Sequence, residues 1–253
     1  MKPTKLTKLT IDARKAFVLI MAIACSTALA FALCACGGST SESSDSASSG
    51  QSSSAQDATG DADADVSYKT SAEGAYASGT HHAKVTVKGF EPFTIELDAD
   101  SAPVTVSNFC ELAESGFYSG CPFHRIVEDF CLQGGDPTGT GTGGSDTEIV
   151  GEFSSNGVDN PLADDFKKGT VAMARSSLPN SASSQFFITL DSSEGVSLSL
   201  NGQYAAFGTV DKAGMKIVDK IVEKYLPKAD AAASGTIADK ADMPIIKKVE
   251  IVD

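Results

Sequence analysis

Two stretches of this chain hold the side chains best suited to chemistry: Phe123–Asp136, FHRIVEDFCLQGGD, and Gln185–Ile188, QFFI. They place one arginine, two glutamines and several aromatics in a mainly apolar, strand-like setting. No strong nucleophile and no metal-ligand cluster accompanies them. Such a set suits a site that binds an extended peptide and stabilises a polar transition state by charge and hydrogen bonds, without a covalent step. Arg125 is the natural agent, because a guanidinium stays charged and presents rigid donors. His124 invites a general-base role, but in an alternating strand it points to the opposite face from Arg125. A structural hydrogen-bonding role is expected for it.

Other motifs point to less. Gly139-Thr140-Gly141-Thr142-Gly143-Gly144 matches G-x-G-x-x-G, yet Glu148–Phe153 follows with no helical pattern, so a dinucleotide site is not indicated. A flexible loop beside the groove is expected there. Ser192-Ser193 has no partner at a hydrolase elbow. The His81-His82 pair is too little for a metal site.

The elements that must position these residues are short. Lys84–Lys88 and Phe93–Leu97 alternate as half-buried strands do, with a turn at Glu91-Pro92. Ala102-Pro103 opens a helix with Val106, Phe109, Cys110 and Ala113 on one face, and Gly116 stops it. Strand-like pieces follow at Phe123–Val127, Phe130–Gln133, Gly169–Arg175, Gln185–Thr189, Ala205–Val210 and Ile245–Val252. A second helix fits Ala213–Tyr225, with Met215, Val218, Ile221 and Val222 as its apolar face. Many short strands and two helices predict a closed or nearly closed β-barrel with helical caps.

The amino end reads as an address. Lys2, Lys5, Lys8, Arg14 and Lys15 form a basic region, Ala16–Leu33 is apolar, and Leu33-Cys34-Ala35-Cys36 ends the run. This order defines an export signal. It resembles a bacterial lipobox, which implies cleavage after residue 35, lipidation of Cys36 and a domain tethered to the outer face of the cell membrane; Cys25 is a second lipobox candidate, an uncleaved membrane anchor is the alternative, and in each case the domain is expected outside the cytoplasm. Residues 36–79 are rich in Ser, Ala and Asp and too poor in large apolar side chains to bury a core; they are expected to form a disordered linker. The chain carries 20 basic and 33 acidic residues, for a formal charge of −13. So acidic a surface repels phosphate backbones and argues against nucleic-acid binding. Cys110, Cys121 and Cys131 remain beyond Cys36, an odd number without C-x-x-C spacing. Neither a disulfide framework nor a zinc site is indicated.

Seven blocks in order carry a family resemblance: Ala102–Phe109, Gly116–Tyr118, Phe123–Asp136, Gly139–Gly144, Met173–Arg175, Pro179–Ile188 and Phe207-Gly208. Residues 80–253 resemble the cyclophilin family of peptidyl-prolyl isomerases. The resemblance implies a closed eight-stranded antiparallel barrel capped by two α-helices. It implies cis–trans isomerisation of X–Pro bonds in proline-containing polypeptides, here exported or cell-surface proteins whose folding it would assist; that chemistry needs no cofactor and no metal, and a monomer is the default expectation. Arg125 would be the catalytic arginine, with Gln133 and Phe130 beside it. Substrate would be bound by Cys131 (where a methionine is usual), Ala174, Arg175, Gln185, Phe187, Leu200 and Tyr204 (where a histidine is frequent). Substrate backbone would add to a strand edge at Ala172–Arg175, and Arg175 would favour acidic residues near the proline. The alternative reading is a proline-peptide binding module or chaperone with negligible turnover.

Overall fold

The computed structural model describes residues 67–253. In chain order the elements are β1 (Tyr68–Lys69), β2 (Thr80–Val87), β3 (Phe93–Asp98), α1 (Pro103–Glu114), β4 (Phe123–Val127), β5 (Cys131–Gly134), β6 (Glu148–Ile149), β7 (Thr170–Met173), β8 (Phe186–Thr189), α2 (Glu194–Leu200), β9 (Ala206–Val210), α3 (Lys212–Tyr225) and β10 (Ile246–Ile251). Eight strands form one antiparallel sheet in the order β10-β2-β3-β9-β7-β8-β5-β4, while β1 and β6 pair in parallel.

Period-2 patterning explains the outer strands. In β3, Phe93, Ile95 and Leu97 are buried while Thr94 and Glu96 are exposed. The inner strands β7 and β8 are buried at every position, so both of their faces are covered. One face lies on the main core. There Phe109 of α1 meets Phe186 edge-on at 5.5 Å and Phe207 at 5.1 Å, and Tyr118 meets Phe186 at 5.7 Å. The other face carries a second cluster of Cys131, Phe153, Ala163, Phe166, Ala172, Phe187, Val196, Leu200, Ala205 and Ala206.

Helix α1 has Pro at its first turn and no side-chain cap from Ala102. The cap comes from far along the chain: Glu152 accepts from the Val104 and Thr105 amides at 3.0 and 2.8 Å and from the Thr105 hydroxyl at 2.6 Å. A carboxylate there satisfies orphan amides and meets the positive end of the helix. Helix α3 caps itself, with Asp211 accepting from the Gly214 amide, and buries Met215, Val218 and Ile221.

Four expectations need correction. The barrel is open rather than closed: no ladder joins edge strands β4 and β10, and the seam is crossed only by a bridge at Pro122 and Ile245 and a few bonds, such as Phe123 N–H to Pro244 O at 2.8 Å. Pro122 and Pro244 lack the N–H that a ladder needs. The described residues hold three α-helices rather than two; the seven-residue α2 is too short to show a helical period. Ordered backbone begins before residue 80, since β1 pairs with β6 and Tyr76 donates to Glu114 at 2.6 Å. Finally, β7 has partners on both sides and ends at Met173, so Ala172 offers no free strand edge and Ala174 and Arg175 lie beyond the ladder.

Candidate active site

Strand register assembles the site. Arg125 pairs with Gln133, Gln133 with Phe187, Phe187 with Ala172, and Ala172 with Ala206. Directly opposed residues share a face, so one row of side chains crosses β4, β5, β8, β7 and β9 on the side away from the main core. Cys131 lies two residues before Gln133, on the same face. The alternate residues Ile126, Leu132, Phe186 and Ile188 belong to the main core.

The apolar end of this row is the second cluster. It contains Cys131, Phe187 and Leu200, with Phe130, Ala174 and Tyr204 packed on its margin. Of the residues expected to bind substrate, Cys131, Phe187 and Leu200 thus lie inside this cluster and Phe130, Ala174 and Tyr204 on its margin. Phe187 stacks on Phe166 at 6.3 Å and takes the edge of Tyr204 at 5.6 Å.

The polar end is a directed chain of hydrogen bonds. Arg125 donates from Nη1 to Gln133 Oε1 at 3.0 Å and to Cys131 Sγ at 3.3 Å, and from Nε to Ser234 O at 2.8 Å. Its guanidinium carbon lies 5.8 Å from the centre of the Phe130 ring. A guanidinium can only donate, so the Gln133 oxygen must face it and the Gln133 amide group must face away. That group donates to Gln185 Oε1 at 2.9 Å, and Gln185 Nε2 then donates to the Gly141 and Gly143 carbonyls at 3.0 and 2.8 Å. Both glutamines are thus oriented by their neighbours.

The Gly139–Gly144 loop is the anchor of this chain, and the expectation of a flexible loop is corrected by its bonding. Asp136, fully buried, accepts from the amides of Thr138, Gly141 and Gly143 at 2.8, 2.7 and 3.1 Å and from the Thr138 hydroxyl at 2.7 Å. Burial alone would raise its pKa, but these donors together outweigh it and hold the carboxyl at about 2. Gly141 has φ of +84°, a backbone state that glycine adopts freely. Gly143 needs its missing side chain, since a Cβ there would stand 2.2 Å from Asp136 Oδ1. Asp136, Ser234 and the two loop carbonyls were not singled out from sequence. The Asp136 role had one signal, a lone acid followed by repeated Gly and Thr; Ser234 had none.

Arg175 sits apart from this chain. Its guanidinium packs between Phe153 and Tyr204 at 5.1 and 5.0 Å and donates to Gln203 O and Ser176 O. His124 does not take the hydrogen-bonding role expected of it: it is buried, and neither ring nitrogen has a partner among the described residues. Burial pushes its pKa below the usual histidine value, Asp136 opposing and Arg125 reinforcing. Such an imidazole is a poor proton acceptor. Cys110, Cys121 and Cys131 are all buried and unpaired. No group of three His, Cys, Asp or Glu that could hold a metal ion occurs among the described residues.

Residues 82–250 match the model of the cyclophilin type peptidyl-prolyl cis-trans isomerase/CLD family. The chain is 46% identical over 137 residues to peptidyl-prolyl cis-trans isomerase-like 1 of Rhizopus delemar, covering 54% of this chain and 76% of that protein. It is 41% identical over 130 residues to peptidyl-prolyl cis-trans isomerase CYP18-2 of Arabidopsis thaliana, covering 51% and 74%. A crystal structure of a Cryptosporidium parvum cyclophilin type isomerase in the presence of the dipeptide Ala-Pro superposes with a TM-score of 0.56 at 30% identity, over 68% of this chain and 99% of that one. The match spans most of the described residues and every block that forms the arginine–glutamine row, and the chain belongs to the cyclophilin type peptidyl-prolyl cis-trans isomerase family.

Proposed function

We propose that this peptidyl-prolyl isomerase acts on exported or cell-surface polypeptides, with Arg125 as the catalytic residue and the cluster around Phe187 as the seat of the substrate proline. The observation that supports this is the single row placing a guanidinium beside an apolar cluster, with its orientation set by Gln133. Rotation about an X–Pro bond meets a barrier of roughly 18–20 kcal/mol, because the planar amide is resonance-stabilised. In the twisted transition state conjugation is lost, and the imide nitrogen becomes pyramidal with a basic lone pair. A donor aimed at that nitrogen binds the twisted form better than either planar form, which is what accelerates the step. The three bonds of Arg125 use Nε and Nη1, so Nη2 is the donor assigned to the substrate nitrogen.

Gln133 and Gln185 hold the arginine in place before substrate arrives, so little reorganisation accompanies the twist. Phe130, Phe187, Leu200 and Tyr204 exclude water around the proline ring. Ala174 and Arg175, past the end of β7, would run beside the peptide. No bond to the substrate is made or broken, and no cofactor enters the step. The export signal and the lipidated Cys36 lie outside the described residues; the proposal of a membrane tether rests on their sequence alone.

A protease-coupled isomerisation assay tests this reading. Arg125→Ala is expected to lower kcat/KM about 100-fold, comparable to losing one transition-state donor, while retaining peptide binding. Parent-like turnover in the variant would remove Arg125 from the mechanism. Binding without turnover in the parent would mean a proline-peptide binding module instead.

A further inference from the structure

A second concave surface lies at the β2–β3 turn, away from the arginine row. Gly89, with φ of +83°, turns the chain after Lys88, and Phe90 donates its amide back to Val87 O at 3.1 Å. Phe90 is thereby left half-buried between two adjoining hollows that share it and Gly89. One, about 470 Å3, is lined by Val87, Lys88, Gly120, Ile245 and Lys247 among others. The other, about 340 Å3, is lined by Glu91, Ile217 and Lys220. Lys224 of α3 places its ammonium 5.2 Å from the Phe90 ring, and Tyr225 packs beside that ring at 6.3 Å.

The charge here runs against the rest of the molecule. The chain has 33 acidic and 20 basic residues, yet Lys88, Lys220, Lys224 and Lys247 converge on this apolar floor. All four are exposed, and none has a carboxylate ion-pair partner among the described residues. Elsewhere Lys69, Lys167, Lys168, Lys228 and Lys248 are each paired with a carboxylate while Lys84, Lys212, Lys216 and Lys240 are not, so what marks this surface is the gathering of four such ammonium groups around one aromatic ring. Glu91 is the single acid in either lining.

We propose that the groove around Phe90 docks an acidic segment of a partner protein, carrying an aromatic or large aliphatic side chain that seats against the Phe90 ring. Charge complementarity selects the acidic partner: unpaired ammonium groups around a low-dielectric floor attract carboxylates and repel basic chains. Shape selects a peptide over a membrane, since the apolar side chains line a recess instead of projecting to insert into a bilayer. None of these residues contributes to the arginine row, so docking leaves the isomerase site open to a proline segment of the same partner.

The test uses the full chain and a fluorescein-labelled peptide that alternates glutamate with phenylalanine and leucine, read by fluorescence anisotropy. Saturable binding is expected, weakening from about 50 to about 300 mM salt as exposed charges are screened. Lys220→Glu combined with Lys224→Glu is expected to weaken it at least about tenfold without changing isomerase turnover, and Lys88→Glu with Lys247→Glu should do the same from the other hollow. Three results would each overturn the proposal: no saturable binding, equal binding of a lysine-for-glutamate peptide, or binding unaffected by both charge-reversed pairs. Preference for anionic vesicles over the peptide, lost in those variants, would also overturn it in favour of a lipid surface.

Discussion

The Asp136→Asn substitution tests how far the site depends on its anchoring loop. The Asp136 carboxylate takes four close donors: the Thr138, Gly141 and Gly143 amides and the Thr138 hydroxyl. An asparagine keeps one acceptor oxygen and turns an NH2 group toward the remaining donors. The Thr138 amide and hydroxyl are on Oδ1, and the Gly141 and Gly143 amides, with the more distant Thr140 hydroxyl at 3.3 Å, are on Oδ2, so one amide orientation strands both glycine amides, the other strands the Thr138 amide, and every remaining donor loses a charged acceptor. Hydrogen bonds to a charged group contribute about 1.5–3 kcal/mol each, and some loop relaxation offsets the loss. A net destabilisation of about 3 kcal/mol follows, measured by urea unfolding near neutral pH. The Gly141 and Gly143 amides should exchange with solvent faster in the variant. Turnover should fall about tenfold, because the loop carbonyls that orient Gln185, and through it Gln133 and Arg125, lose their support. The pH dependence fixes the sign. The folded pKa of about 2 lies below the ordinary aspartate value of 3.8, so the carboxylate stabilises the fold fully above about pH 4 and progressively less as pH falls toward 2. The difference between parent and variant must shrink over that window. A loss below about 0.5 kcal/mol at neutral pH, or a difference that grows on acidification, would refute the anchoring role.

Three further outcomes are expected. His124 is buried with its pKa pushed down by desolvation, so the stability it permits is full above the unfolded value near 6.5 and falls as pH drops below it; the melting temperature of His124→Phe should decline less between about pH 7 and 5 than that of the parent, and parallel curves would count against this. Burial holds the Cys110 thiol at about 12 and the Cys121 and Cys131 thiols at about 11, so iodoacetamide at about pH 8 should label none of them in the native chain and all in urea; rapid native labelling of Cys131 would show a site more open than described. Arg175 is expected to raise turnover of a Glu-flanked proline peptide over a Lys-flanked one by a few fold, the range of an exposed ion pair, and Arg175→Ala should erase the difference; equal rates in the parent would dismiss the preference.

Much of the fold was legible because its signals are local. Alternation in Phe93–Leu97 and the apolar stripe of Met215, Val218 and Ile221 mark a strand and a helix that the structure contains. Helix α2 was not legible, since its buried residues Val196 and Leu200 span a single turn. The open seam was missed because a proline reads locally as a turn, while its effect on a ladder depends on which strand lies opposite. The extended edge expected at Ala172–Arg175 failed for a related reason: β7 is interior, and only its pairing with both β8 and β9 reveals that.

Local patterns in the residues show which positions alternate and which stretches bury a face, and the blocks shared with a family point to Arg125, Gln133 and Phe187 as neighbours. Those properties rest on side-chain periodicity and local motif order. Only the folded chain shows that Gln133 stands between Arg125 and Phe187, that Glu152 caps a helix nearly fifty residues earlier, that Asp136 ties down the loop behind Gln185, and that four lysines gather round Phe90. Each of these is a pairing across strands or loops distant in the chain, set by register and packing, and no local pattern in the residues specifies which distant partner will be met.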